Sequence, residues 1–197
     1  MRFSRSAAVP TVSLLAGLLA AACSDSTAPL PSRPGAELTI LQLGPAAPAL
    51  ETNSVTFTAC KGVDAEGRIG YVSTSGEQED FARLKLDGAS LFARPDGTPY
   101  QNGECERITM SVVDPTAKQV QVELQPSGLK FSLDHPAELR LDYGEAEGVD
   151  AEVESKIGIW RQETPGDPFV LVGTAVLKDS KEVEAKLFGF SRYALAY

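Results

Sequence analysis

Pro136-Ala137-Glu138-Leu139-Arg140-Leu141-Asp142-Tyr143 alternates strictly from Ala137 to its end: apolar side chains at odd positions, charged ones at even positions. A period of two separates residues onto two faces only in an extended strand. Wound into a helix, the same residues would scatter leucines and charges around the circumference. The stretch therefore predicts a strand with one face on a core and the other in water. The pattern repeats along the chain. Ile108, Met110 and Val112 alternate with Thr109 and Ser111, and Val120, Val122 and Leu124 with Gln119, Gln121 and Glu123. Val183, Ala185 and Leu187 alternate with Glu184 and Lys186, while Ile157 and Ile159 stand opposite Trp160. Ser54 to Ala59 and Phe81 to Leu86 follow suit.

Turn chemistry separates these runs: Asp87-Gly88, Pro95-Asp96-Gly97, Gln101-Asn102-Gly103, Pro126-Ser127-Gly128 and Pro165-Gly166-Asp167-Pro168. Half-buried strands at short intervals mark an antiparallel all-β fold. The expected architecture is one antiparallel β-sandwich over residues 50–197, with two inner faces packed together. Glu145 to Glu154 is the one stretch capable of a helix, and Gly148 with two valines weakens it.

The N-terminus reads as an address. Arg2 and Arg5 precede an apolar run from Ala7 to Ala22 that ends at Cys23. The run falls short of the roughly 20 apolar residues of a spanning helix and has the form of an export signal. Leu19-Ala20-Ala21-Ala22-Cys23 resembles the lipobox of bacterial lipoproteins, with Ala20 where Leu is usual. The resemblance implies a signal peptide over residues 1–22 and lipidation of Cys23, with the acyl chains holding the protein to a membrane. Ser24 after the cysteine implies, by the same resemblance, the outer membrane. An ordinary cleaved signal with an incidental cysteine, or a buried N-terminal helix, are the alternatives. Residues 23–49 are rich in Ser, Thr, Ala and Pro, and are expected to form a flexible tether. Within them Glu37 to Leu43 alternates, as either a first strand or an adhesive patch.

Formal charge is −9, and loss of Arg2 and Arg5 with the leader takes it to −11. An acidic chain without a basic cluster argues against nucleic acid and against peripheral docking on anionic lipid, which leaves the anchoring to the acyl chains. After Cys23 only Cys60 and Cys105 remain. An even pair in an exported protein predicts a disulfide, with two buried free thiols as the alternative. One histidine, His135, and no CxxC pair argue against a zinc site. No metal or cofactor is expected.

The order of motifs in the C-terminal half resembles the ZU-five-like β-sandwich module of ankyrins, zonula occludens proteins, netrin receptors and many exported bacterial proteins. The residues that carry it are Gly128-Leu129-Lys130-Phe131-Ser132, Pro136 to Tyr143, the Ile157 to Thr174 hairpin with Trp160, and Gly189-Phe190-Ser191-Arg192-Tyr193-Ala194-Leu195. The resemblance covers residues 119–197 and implies a structural or adhesive unit. Some members cut themselves before the serine of His-Phe-Ser. Here Gly189 stands in the histidine's place, so the proton-transfer partner is missing. Phe190 and Tyr193 are expected in the core.

No nucleophile elbow, P-loop or paired metal motif occurs, so a non-enzymatic binding protein is expected. Trp160, Tyr100 and Tyr143 are the candidate ligand contacts, since an exposed aromatic favours protein or sugar contact; for Trp160, burial in the core is the competing expectation. The partner would be an envelope protein or polysaccharide. The acidic run Glu145, Glu147, Asp150, Glu152 and Glu154 is expected to be a solvated face, because it lacks the spacing of a calcium loop.

Overall fold

The computed structural model describes residues 29–72 and 79–197. Its elements are β1 (Ser32–Arg33), β2 (Ser54–Cys60), β3 (Ala65–Gly70), β4 (Asp80–Leu86), β5 (Leu91–Ala93), β6 (Cys105–Val112) and β7 (Gln121–Gln125). There follow β8 (Lys130–Phe131), β9 (Ala137–Asp142), the one-turn helix α1 (Ala151–Glu154), β10 (Gly158–Gln162) and β11 (Phe169–Gly173). β12 (Ala175–Leu177), β13 (Glu182–Leu187) and β14 (Arg192–Ala196) complete the chain. Two antiparallel sheets face each other. One has seven strands in the order β1-β11-β10-β14-β7-β6-β2, the other five in the order β12-β13-β9-β4-β3. The short pair β5-β8 stands beside them.

Alternation decides which residues meet between the sheets. Leu139 and Leu141 of β9, Val183 and Ala185 of β13, and Val122 and Leu124 of β7 are fully or almost fully buried in one cluster with Ile108, Met110 and Ile159. Each buried aliphatic side chain contributes about 1.5–3 kcal/mol to the sandwich. Phe190 and Tyr193 lie in the same core, as expected, and the Tyr193 hydroxyl donates to the Gly189 carbonyl at 2.6 Å. Where β2 crosses from one sheet to β3 of the other, the Phe57 ring lies on Gly67. A Cβ at Gly67 would stand 2.2 Å from that ring, which is why glycine occupies an otherwise ordinary strand position.

Cys60 and Cys105 face each other in register at the end of the β2–β6 pair and are disulfide-bonded. The bond closes the excursion in which the chain leaves the seven-stranded sheet, builds β3 to β5, and returns.

The main departure from the sequence reading is at the N-terminus. Residues 32–43, expected in the tether, are built into the sandwich. β1 extends the seven-stranded sheet by pairing with β11. Thr39 and Tyr197 exchange both backbone hydrogen bonds at 3.2 Å. The Leu41 N–H donates to the Leu195 carbonyl, and its own carbonyl accepts from Val120, both at 2.9 Å. Leu41 reaches the main core, and Leu38 caps a second, smaller cluster on the outer face of the sheet with Trp160, Phe169, Ala194 and Ala196. Glu37 to Leu43 is neither a free patch nor a regular strand: Gly35–Glu37 forms a 3-10 turn, and Ile40, Gln42 and Leu43 make isolated antiparallel bridges. Its Pro- and Ala-rich surroundings masked a segment whose apolar residues serve two different cores.

The helix-capable stretch yields only α1. Gly148 takes the left-handed region at φ +72°, and Asp150 then caps the new turn by accepting from Glu152 and Val153, both at 2.9 Å.

Candidate functional site

The solvent-facing positions of the five-stranded sheet carry an organised set of charges. Arg68 of β3 pairs in register with Arg83 of β4, Arg83 with Arg140 of β9, and Arg140 with Glu184 of β13. Three guanidiniums side by side repel one another, and acids between them offset the repulsion. Asp80 takes Arg68 in a two-pronged contact, Nη2 to Oδ2 at 2.8 Å and Nε to Oδ1 at 3.0 Å, and lies 3.7 Å from Arg83. Glu182 lies 3.6 Å from the Arg83 guanidinium. Arg140 is held by Glu184 at 2.8 Å and Glu138 at 2.9 Å. The fork of Arg suits such bidentate pairing better than a lysine would.

At one end of this lattice the surface sinks into a polar basin of roughly 450 Å³, where Arg68, Asp80, Arg83, Asp142, Lys181 and Glu182 converge. Asp142 forms part of its wall. It accepts from the Gly144 N–H at 3.0 Å, and the Tyr71 hydroxyl donates to it at 3.4 Å. Burial pushes its carboxyl up to about 7, and the neighbouring Glu182 and Glu145 charges push the same way against the backbone N–H groups. At neutral pH this carboxyl both donates and accepts, beside fixed cations and anions. The basin therefore offers mainly polar, charge-matched contacts, as a hydroxyl-rich or zwitterionic ligand requires.

The Asp142 carboxyl also leaves a pH signature. Its folded value lies above the ordinary value of 3.8, so its stabilising contribution is full below about pH 4 and is lost as pH rises through about 7. Asp142→Asn removes that dependence. Relative to the native chain, the variant is expected to gain about 1–2 kcal/mol between pH 4.5 and pH 8, a value reduced for solvent screening. Urea midpoints at the two pH values check this; a constant difference between the chains would contradict it.

The aromatic contacts expected from the sequence are placed differently. Trp160 is 4% exposed and Tyr143 2%. The Trp160 indole N–H donates to the Ala196 carbonyl at 3.1 Å under Leu38, and Arg33 lies 5.5 Å over its ring. Trp160 does point to the outer face, opposite Ile157 and Ile159, but the N-terminal segment covers it; of its two expectations, burial holds. Tyr143 donates to Glu154 at 2.8 Å. Tyr100 is buried too, its hydroxyl on Glu106 and its ring 4.3 Å beneath Arg94. All three are packed against separate partners, and the structure does not bring them together as a binding surface.

The acidic run is taken up locally. Asp150 caps α1, and Glu154 is held down to about 2 by hydrogen bonds from Lys178, Tyr143 and Lys181. Among the described residues, no group of three or more His, Cys, Asp or Glu side chains is placed to share an ion. His135 is half-exposed, with Nδ1 2.8 Å from Asp87. Ser191 is 4% exposed and donates to Glu163 at 3.2 Å. Cys23 lies outside the described residues.

Sequence reading missed the basin because its members occupy the polar positions of amphipathic strands, where a charge ordinarily means contact with water. The one signal was three arginines at outward positions, and only the strand register shows that Arg68, Arg83 and Arg140 stand side by side. No protein-family model, curated protein or solved structure matches this chain.

Proposed function

We propose that this is a non-enzymatic lipoprotein of the cell envelope, fixed to the outer membrane through Cys23, whose ZU-five-like sandwich binds a polar envelope component, protein or polysaccharide. The observation that carries the binding role is the asymmetry of the two sheets. The N-terminal segment covers Trp160 on the outer face of the seven-stranded sheet, whereas the five-stranded sheet presents its charge lattice and basin to solvent. The export signal and lipobox-like sequence ending at Cys23 support the anchorage.

Binding to isolated envelope polysaccharide and to envelope protein fractions, measured separately, tests the role. The double variant Arg68→Ala, Lys181→Ala is expected to bind its fraction about tenfold or more weakly, the scale of losing one charge-assisted contact, with its circular dichroism unchanged. Equal binding by native chain and variant would remove the basin from the proposal. The Phe190–Ser191 bond is expected to stay intact on denaturing gels, because Gly189 leaves that serine without the histidine of the self-cleaving pattern.

A further inference from the structure

We infer that the rim of the sandwich where the chain emerges, around Leu30 and Phe188, docks on the headgroup layer of an anionic phospholipid bilayer; the inference rests on the proposed anchorage at Cys23. Two adjoining hollows of roughly 200 and 320 Å³ share Arg161 and Phe188. Leu30 and Val172 line the first, and Lys186 and Lys130 stand at their borders. Leu30 is 60% and Phe188 48% exposed, two large apolar side chains left in water at one rim. Lys130 and Lys186 are exposed beside them.

The charge of this rim runs against that of the chain. Lys130, Arg161 and Lys186 meet one lining acid, Glu163, 3.4 Å from Arg161. Glu138 stands opposite Lys186 in register, but its carboxylate is turned to Arg140 at 2.9 Å. The formal charge of −9 averages this cationic rim away. Exposed apolar side chains flanked by cations are the combination that favours an anionic lipid surface.

Chain length puts this rim, and not another, at the bilayer. Seven residue steps separate Cys23 from Leu30, and fully extended they span about 24 Å. A domain of this size is roughly 40 Å across. With acyl chains at Cys23, the surface around Leu30 is held near the headgroups whatever path the tether takes. The same constraint orients the basin. Phe188 follows the last residue of β13, while Glu182 of the basin is its first, about 20 Å away along the strand. With the rim on the bilayer, the basin faces the aqueous phase.

The test uses the full acylated protein in vesicles, with an apolar spin label on Phe188→Cys and a control label on Asp179→Cys in the exposed turn before β13. On phosphatidylglycerol vesicles the label at 188 is expected to lose its relaxation by an aqueous nickel complex, and the label at 179 to keep it. With Lys130→Glu and Lys186→Glu added, or on phosphatidylcholine vesicles, position 188 is expected to regain that relaxation. Protein that is acylated and floats with the vesicles, yet has 188 as water-accessible as 179, overturns the docking rim alone. Protein that carries no acyl groups and does not float overturns the anchorage and the rim together.

Discussion

Trp160→Ala lowers the unfolding free energy by about 3–5 kcal/mol, the range for truncating a large buried aromatic. The effect has two sources. The indole is the centre of the small cluster of Leu38, Phe169, Ala194 and Ala196, and its removal leaves a cavity there. Its N–H also holds the Ala196 carbonyl at 3.1 Å, on the strand that the N-terminal segment grips through Thr39 and Leu41. Loosening the cluster therefore loosens the segment. A chain that begins at Gly44 lacks Leu38 and Leu41 together, and is expected to lose more than the point variant, opening both cores to water. An exposed tryptophan would give the opposite result, a change within about 0.5 kcal/mol. Urea unfolding of the two variants against the native chain distinguishes these outcomes.

The second large effect is at the disulfide. Replacing Cys60 and Cys105 by alanine is expected to lower stability by about 2–4 kcal/mol. The bond joins residues 45 apart, and a loop of that length corresponds to about 4 kcal/mol of restrained unfolded-chain entropy in the simplest model. The closed loop contains β3 and β4, two of the five strands of the sheet that carries the basin. Reducing agent should shift the melting of the native chain to that of the double alanine variant and leave the variant unmoved. A native chain indifferent to reductant would contradict a stabilising role for the bond.

The two halves of the fold were unequally legible. Ala137 to Tyr143 and Val183 to Leu187 announced themselves, because each strand has one face on the core and one in water, and period two reports that division directly. β14 did not read as cleanly. Its Tyr193, Ala194, Leu195 and Ala196 are all buried, since the N-terminal segment covers the face that would otherwise meet water, and a strand covered on both sides loses its alternation. The disulfide was legible from the cysteine count together with the export that the N-terminal sequence leads one to expect. The fate of Trp160 was open for a related reason. Alternation placed it on the outer face, but whether that face is covered depends on Leu38, which is 122 positions earlier in the sequence. The basin depends on register across four strands, and no single strand carries that information. Arg68, Arg83 and Arg140 are unremarkable apart; their juxtaposition is a property of the sheet.

These elements fit a protein held at one end and open at the other. Residues 32–43 are built into the sandwich through β11 and β14, so under the proposed anchorage at Cys23 a pull would reach those strands directly. The charge lattice lies on the outer face of the five-stranded sheet, the face turned away from the core that Leu41 enters.

The most direct measurement is the intact mass of the protein purified from membranes. Expected is a chain that begins at Cys23, carries diacylglyceryl and acyl additions, is uncut between Phe190 and Ser191, and gains two protons on reduction of Cys60–Cys105. A chain without lipid, or one that retains residues 1–22, would contradict the envelope anchorage on which the proposed function stands.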